Sequence, residues 1–193
     1  MKDPHYLLEQ KIENSIKLSP PEKELIKSSF NFISKGKNEH LMKSGETSRH
    51  LYFIVKGYVR TYHVNETGEE VTTSLAGEGD LMASFESFLK EIPSHENIQC
   101  VTSCELLKIS REGYNNLFKE VLHWPEFCKG VYEKYILKMG QRLLGMQKWS
   151  ASERYEKLLE SDPKLVGEIP VKYLASYIGV KPQSLSRIRA DIK

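Results

Sequence analysis

The sequence predicts an α+β protein: a β-rich middle flanked by helical segments and closed by two short helices with a sharp turn between them. Three observations carry this. From about residue 38 to 110, short apolar runs of period two alternate with glycine-bearing turns. Both flanks place apolar residues at helical spacing. The tail holds two short amphipathic segments divided by Gly179.

Residues 1 to about 34 read as helical. Tyr6, Leu7, Ile12 and Ile16 fall at roughly helical intervals until Ser19-Pro20-Pro21 interrupts them. Ser19 can cap a second helix with Pro21 in its first turn and Leu25, Ile26 and Phe30 on one face.

The β region is built from Leu51–Val55, Tyr58–Val64, Val71–Leu75, Ile98–Val101 and Glu105–Ile109. Gly45, Gly57, the run Asn65 to Gly68 and the run Gly77 to Asp80 separate the segments. Short strands at this spacing predict an antiparallel sandwich or barrel.

From residue 111 to about 161 the pattern is helical again. Tyr132, Ile136, Met139, Leu143 and Met146 step by four, three, four and three, a heptad-like seam about two heptads long. That seam reads either as a subunit contact or as an ordinary amphipathic helix lying on its own domain. Ser150-Ala151-Ser152-Glu153 has the capping-box pattern and opens a new helix, which Asp162-Pro163 ends. The main boundary falls near Trp149-Ser150.

The 193 residues suffice for one large domain or two small ones. No apolar run reaches the roughly 18 residues that span a bilayer, and the start Met1-Lys2-Asp3-Pro4-His5 lacks the apolar core of a secretory signal. The expected location is cytoplasmic, away from membranes. Cys100, Cys104 and Cys128 form no disulfide framework. Cys100 and Cys104 are spaced as a metal pair, but nothing nearby completes a tetrahedral set, so small apolar strand residues are the expected reading and no metal is assigned. Net charge is +2, yet residues 163–193 carry +4, leaving −2 for the rest. A basic tail on a slightly acidic body suits a nucleic-acid contact.

The segment Val171-Lys172-Tyr173-Leu174-Ala175-Ser176-Tyr177-Ile178-Gly179-Val180-Lys181-Pro182-Gln183-Ser184-Leu185-Ser186-Arg187-Ile188 reads as a helix-turn-helix. Gly179 supplies the left-handed angle of the turn. Ala175 leaves room for the crossing helix. Leu174, Ile178, Val180, Leu185 and Ile188 share one small core, and Pro182 fits a first helical turn. A plain helical hairpin packed on the rest of the chain is the competing reading. On the second helix, Gln183, Ser184, Ser186 and Arg187 are the candidates for base contacts, with Arg187 foremost because arginine bonds a guanine edge bidentately. Lys181, Arg189 and Lys193 are candidates for phosphate contacts, and Lys172 and Tyr173 for backbone contacts.

The β domain, long helix and terminal helix-turn-helix together resemble the Crp/Fnr family of regulators. The resemblance runs over roughly residues 20–193. It is carried by Leu51–Arg60, by Gly77-Glu78-Gly79-Asp80-Leu81 and by Cys104–Ser110. It implies a cyclic-nucleotide-binding-like β-roll (a double-stranded β-helix) with N-terminal helices over residues 1–125, a dimerisation helix over 126–149 and a DNA-binding domain over 150–193. It also implies a homodimer on a near-palindromic operator, with RNA polymerase as a further partner. Family members continue into a β wing after the recognition helix. This sequence stops at Lys193, so the expected domain lacks a full wing.

The resemblance breaks at the ligand. Members that bind cyclic AMP carry Gly-Glu and later Arg-Ser in the phosphate cassette. The matching places here read Ala83-Ser84 and Ser94-His95. The cation for the cyclic phosphate and the carboxylate for the ribose are both missing, and His95 replaces the cation only if protonated. Cyclic AMP is therefore not the expected effector. Ser84, Ser87, Ser94, His95 and Asn97 are the polar groups expected to line a pocket for another small molecule, or for none. No cysteine precedes Cys100, which excludes the iron–sulfur cluster of Fnr-like members. The sequence offers no catalytic motif. The expected function is a dimeric, sequence-specific transcription regulator. The alternative is a ligand-binding sensor module whose helical tail makes protein contacts without DNA binding.

Overall fold

The computed structural model describes residues 3–192. Two helices open the chain, α1 (Tyr6–Glu13) and α2 (Pro20–Ser29). The predicted Ser19 cap is present: its hydroxyl and backbone N–H both donate to the Glu22 carboxylate, at 2.6 and 2.8 Å. Eight strands follow: β1 (Asn31–Lys35), β2 (His40–Met42), β3 (His50–Lys56), β4 (Val59–Val64), β5 (Glu70–Ala76), β6 (Leu81–Met82), β7 (Asn97–Cys100) and β8 (Cys104–Ser110). The short α3 (Phe85–Lys90) lies between β6 and β7.

The strands form two four-stranded sheets, ordered β1-β8-β3-β6 and β2-β7-β4-β5, with every pairing antiparallel. This is the expected α+β architecture with an antiparallel β-roll. Alternation decides which side each residue serves. Tyr52, Ile54, Cys104 and Leu106 join Met42, Val59, Met82 and Ile98 in the core between the sheets. Leu51, Phe53, Leu107 and Ile109 face the other way, onto Leu8, Ile12, Ile26, Phe30 and Trp124 of the helical layer. Strands β3 and β8 are thus covered on both faces, which accounts for the unbroken apolar run Leu51–Val55.

The chain leaves the roll through α4 (Arg111–Glu120) and the long α5 (Trp124–Lys148). Helices α6 (Ala151–Ser161), α7 (Pro163–Glu168), α8 (Val171–Ile178) and α9 (Pro182–Asp191) complete it. The Ser150–Glu153 capping box forms at the start of α6. Tyr155, Leu165, Val166, Ile169, Leu174, Ala175, Ile178 and Leu185 build the core of this unit.

Two local expectations change. Residues 31–35 are strand rather than helix, because β8 offers an edge that pairs with them residue for residue from Asn31↔Lys108 to Lys35↔Cys104. Asp162-Pro163 ends α6 but also starts α7: the Asp162 carboxylate accepts from the Leu165 N–H at 2.9 Å, and Pro163 sits in the first turn. Cys100 and Cys104 are buried strand residues, and the Cys104 thiol donates to the Tyr58 carbonyl at 3.4 Å. Among the described residues no group of three or more His, Cys, Asp or Glu could hold a metal ion. No described helix is long and apolar enough to cross a membrane.

Candidate nucleic-acid interface and sensor cavity

Helices α8 and α9 meet at Gly179, whose φ of +78° is the left-handed value the turn demands. The Val180 N–H donates back to the Ala175 carbonyl at 2.9 Å, closing the end of α8. Leu174, Ala175 and Leu185 are fully buried, and Val180 and Ile188 pack against them. The opposite face of α9 is open: Gln183, Ser184, Ser186 and Arg187 are all exposed, with Ser186 donating to the Pro182 carbonyl one turn back.

The phosphate candidates are differently placed. Lys181 is exposed but ion-paired with Glu69 of the β4–β5 turn at 2.5 Å. Arg189 is half-buried, donates to the Val166 carbonyl at 3.1 Å and lies over the Tyr155 ring, so it braces α9 against α6 and α7. Lys172 is exposed above the ring of Tyr173, which is itself buried. Lys193 lies outside the described residues.

A cavity of about 600 Å³ opens between the roll, α5 and the helical tail. That volume suits a small organic ligand. Its polar lining includes Thr61, Thr73, Asp80 and Glu96 from the roll, Lys134, Lys138 and Arg142 from α5, and Tyr177 from α8. The five expected pocket residues are not in that lining. Ser84 and Ser94 are buried and bond to each other at 2.9 Å. Ser87 is buried, accepting from the Ser48 N–H and donating to the Ile92 carbonyl. Asn97 is spent on the Ser44 N–H and the Tyr62 carbonyl, and His95 is exposed. These hydroxyls and amides are committed to bonds within the roll.

The residue that faces the cavity from this loop is Glu96. Its carboxylate accepts from the Thr73 hydroxyl at 3.0 Å and the Ser84 hydroxyl at 3.4 Å. Sequence reasoning passed over it by following the cassette register to Ser94 and His95, two places and one place short.

Helix α5 carries an apolar face to solvent. Ile136, Leu137, Leu143 and Leu144 are 66%, 64%, 63% and 51% exposed. It includes Ile136 and Leu143 of the expected seam, and Met146, also of that seam, is exposed as well. Tyr132 instead hydrogen-bonds Tyr114, and Met139 lines the cavity. Three of the five seam residues are therefore exposed and two are half-buried.

Arg60 was legible only as one residue of a strand. It is 1% exposed, and its guanidinium lies between the rings of Tyr62 and Tyr173, 3.9 and 3.6 Å from their centroids. It also bonds Gln99 and pairs with Glu70 at 2.6 Å.

A two-sheet roll, a long helix and a helical tail define a sensor domain of the cyclic-nucleotide-binding type joined to a small helical module. Residues 33–121 match the family model of the cyclic nucleotide-binding domain. That match spans a little under half of the chain and covers the β-roll. It is similar to the cAMP-activated global transcriptional regulator CRP of Escherichia coli O157:H7 and of Klebsiella aerogenes, with 29% identity over 79 residues. That match covers 41% of this chain and only 38% of each relative's length. In fold it is similar to the c-di-GMP responsive global regulator CLP of Xanthomonas campestris, with a TM-score of 0.70 at 16% identity, covering 90% of this chain and 91% of that one. FixK2 from Bradyrhizobium japonicum gives a TM-score of 0.72 at 18% identity, covering 84% of each chain. The proteins it resembles here are transcription regulators rather than enzymes.

Proposed function

We propose that this chain is a homodimeric, sequence-specific DNA-binding transcription regulator in which α9 enters the major groove. One observation carries the reading: a helix-turn-helix closed by left-handed Gly179 presents Gln183, Ser184 and Arg187 on an open face. Gln183 and Arg187 have the donor geometry for base edges. The exposed apolar face of α5 supports a self-contact that would set two copies of α9 one helical turn of DNA apart.

The regulator is controlled through the interdomain cavity by a small molecule other than cyclic AMP, or by none. Glu96 supports that exclusion, since it lines the cavity with a carboxylate held by the Thr73 and Ser84 hydroxyls.

Site selection from random duplexes, followed by salt-dependent binding, tests the reading. Arg187→Ala should cost about 1–3 kcal/mol on the selected site. Absence of duplex binding by the wild type at low salt would instead favour a sensor module whose tail serves protein contacts. The internal engagement of Lys181 and Arg189 is the observation on that side.

A further inference from the structure

The helix-turn-helix does not hang free of the roll. Helix α8 lies against strand β5 at the edge of its sheet. Ser176 inserts its hydroxyl into that edge, accepting from the Thr72 N–H at 2.8 Å and donating to the Glu70 carbonyl at 3.0 Å. Arg60 holds Tyr173 from below. Arg142 of α5 donates to the Thr72 and Tyr177 carbonyls at 3.3 and 3.1 Å, joining the same strand and helix. Leu75 and Val101 of the roll complete the contact on the apolar side.

This docking sets the β4–β5 turn beside the N-terminus of α9. The turn is preorganised: the Asn65 side-chain carbonyl accepts from the Thr67 and Glu69 N–H groups at 3.1 and 2.9 Å, and Gly68 takes the left-handed angle. It carries Glu66, Glu69 and Glu70 within five residues. Glu70 is turned to Arg60, while Glu69 reaches the ammonium of Lys181, the N-cap residue of α9. A helix N-terminus with an adjacent lysine is where a DNA phosphate would sit. Here the Glu69 carboxylate pairs with that lysine.

We propose that the docked arrangement is a DNA-restraining state, in which the acidic β4–β5 turn holds Lys181 and bars phosphates from the start of α9. The inference rests on the DNA-binding reading above and adds a regulatory contact to it. The restraint shares its residues with the cavity, since Arg142 and Tyr177 line that space and tie β5 to α8. A ligand there contacts the tether itself.

The test uses the full chain and a duplex of random sequence, with and without salt. Glu69→Gln should bind the duplex about threefold tighter than wild type, the scale of an exposed ion pair, with the gain shrinking as salt rises. Its melting temperature should stay unchanged. A Glu69→Cys/Lys181→Cys protein supplies the second arm, the native cysteines all being buried. Oxidised, it should lose about tenfold in duplex affinity relative to the same protein reduced, a coupling of ordinary allosteric size. Equal binding by wild type and Glu69→Gln, together with no effect of oxidation, overturns the restraint while leaving DNA binding intact. No binding by any form at low salt removes the DNA reading, and the restraint with it.

Discussion

The guanidinium of Arg60 lies 3.6 Å from the ring centroid of Tyr173, a buried cation of the β-roll stacked on the first helix of the helix-turn-helix. Buried charge is tolerated only when paired and hydrogen-bonded. Arg60 meets that condition through Gln99, Glu70 and two aromatic faces, one of which belongs to the other unit. Arg60→Ala should therefore destabilise by about 3 kcal/mol, the cost of removing one partner from a buried network. Tyr173→Phe keeps the ring face and should be nearly neutral. Chemical denaturation of both variants checks this.

Gly179 is required by backbone angle rather than by space. The only tight contact of a Cβ there would be the terminal methyl of Met146, a flexible group that can move aside. The φ of +78° is the lasting cost. Gly179→Ala should lose about 1 kcal/mol of stability. Adding Met146→Ala should give none of it back. Rescue by the second substitution, in thermal or urea melts, would show crowding to be the cause instead.

The α5 face makes a prediction that separates it from the heptad seam. Ile136→Glu and Leu144→Glu place charge on exposed apolar positions and should shift the chain toward monomer in sedimentation, with its melting temperature little changed. Met139 faces the cavity, so Met139→Ala should leave the association state alone.

Acidification should destabilise the roll before its carboxylates titrate. Burial, reinforced by Lys108 and Arg49, holds the His50 imidazole below its ordinary pKa, and burial with Lys43 acts the same way on His40. The unfolded chain, with histidines near 6.5, then binds protons more readily than the folded one. Stability is full above that value and falls as pH drops through it toward the lowered folded values. Melts between neutral pH and about pH 5.5 should show the fall. His50→Gln should flatten part of it.

Titration calorimetry with cyclic AMP should show no affinity in the micromolar range, because the Gly-Glu and Arg-Ser of the cassette are replaced by Ala83-Ser84 and Ser94-His95 and Glu96 adds a carboxylate to the cavity lining. Glu96→Gln removes that charge without supplying a cation, so it should not create tight binding either. Micromolar binding by the wild type would overturn the assignment of Glu96.

Much of the architecture was legible because its causes are local. Period-two alternation, glycine turns and the capping pairs Ser19–Glu22 and Ser150–Glu153 act over a few residues, and each produced the element it predicts. The Gly179 turn with Ala175 and its apolar neighbours is local in the same sense. Strand β1 escaped because its partner β8 lies some seventy residues on, and only that pairing makes residues 31–35 extended. The cavity residues escaped for a related reason. Ser84, Ser87 and Ser94 are polar in sequence but committed to bonds within the roll, while Glu96 faces the space.

The sequence by itself determined the class of fold, the order of its parts and the turn chemistry of the reading head, since these follow from periodicity and backbone preference. Tertiary structure alone decided which polar groups remain available. Arg60 is spent on Tyr173, Lys181 on Glu69 and Arg189 on Val166, while Arg187 and Gln183 stay open. A side chain's charge is written in the sequence, but its partner is fixed by which distant strand the fold brings beside it.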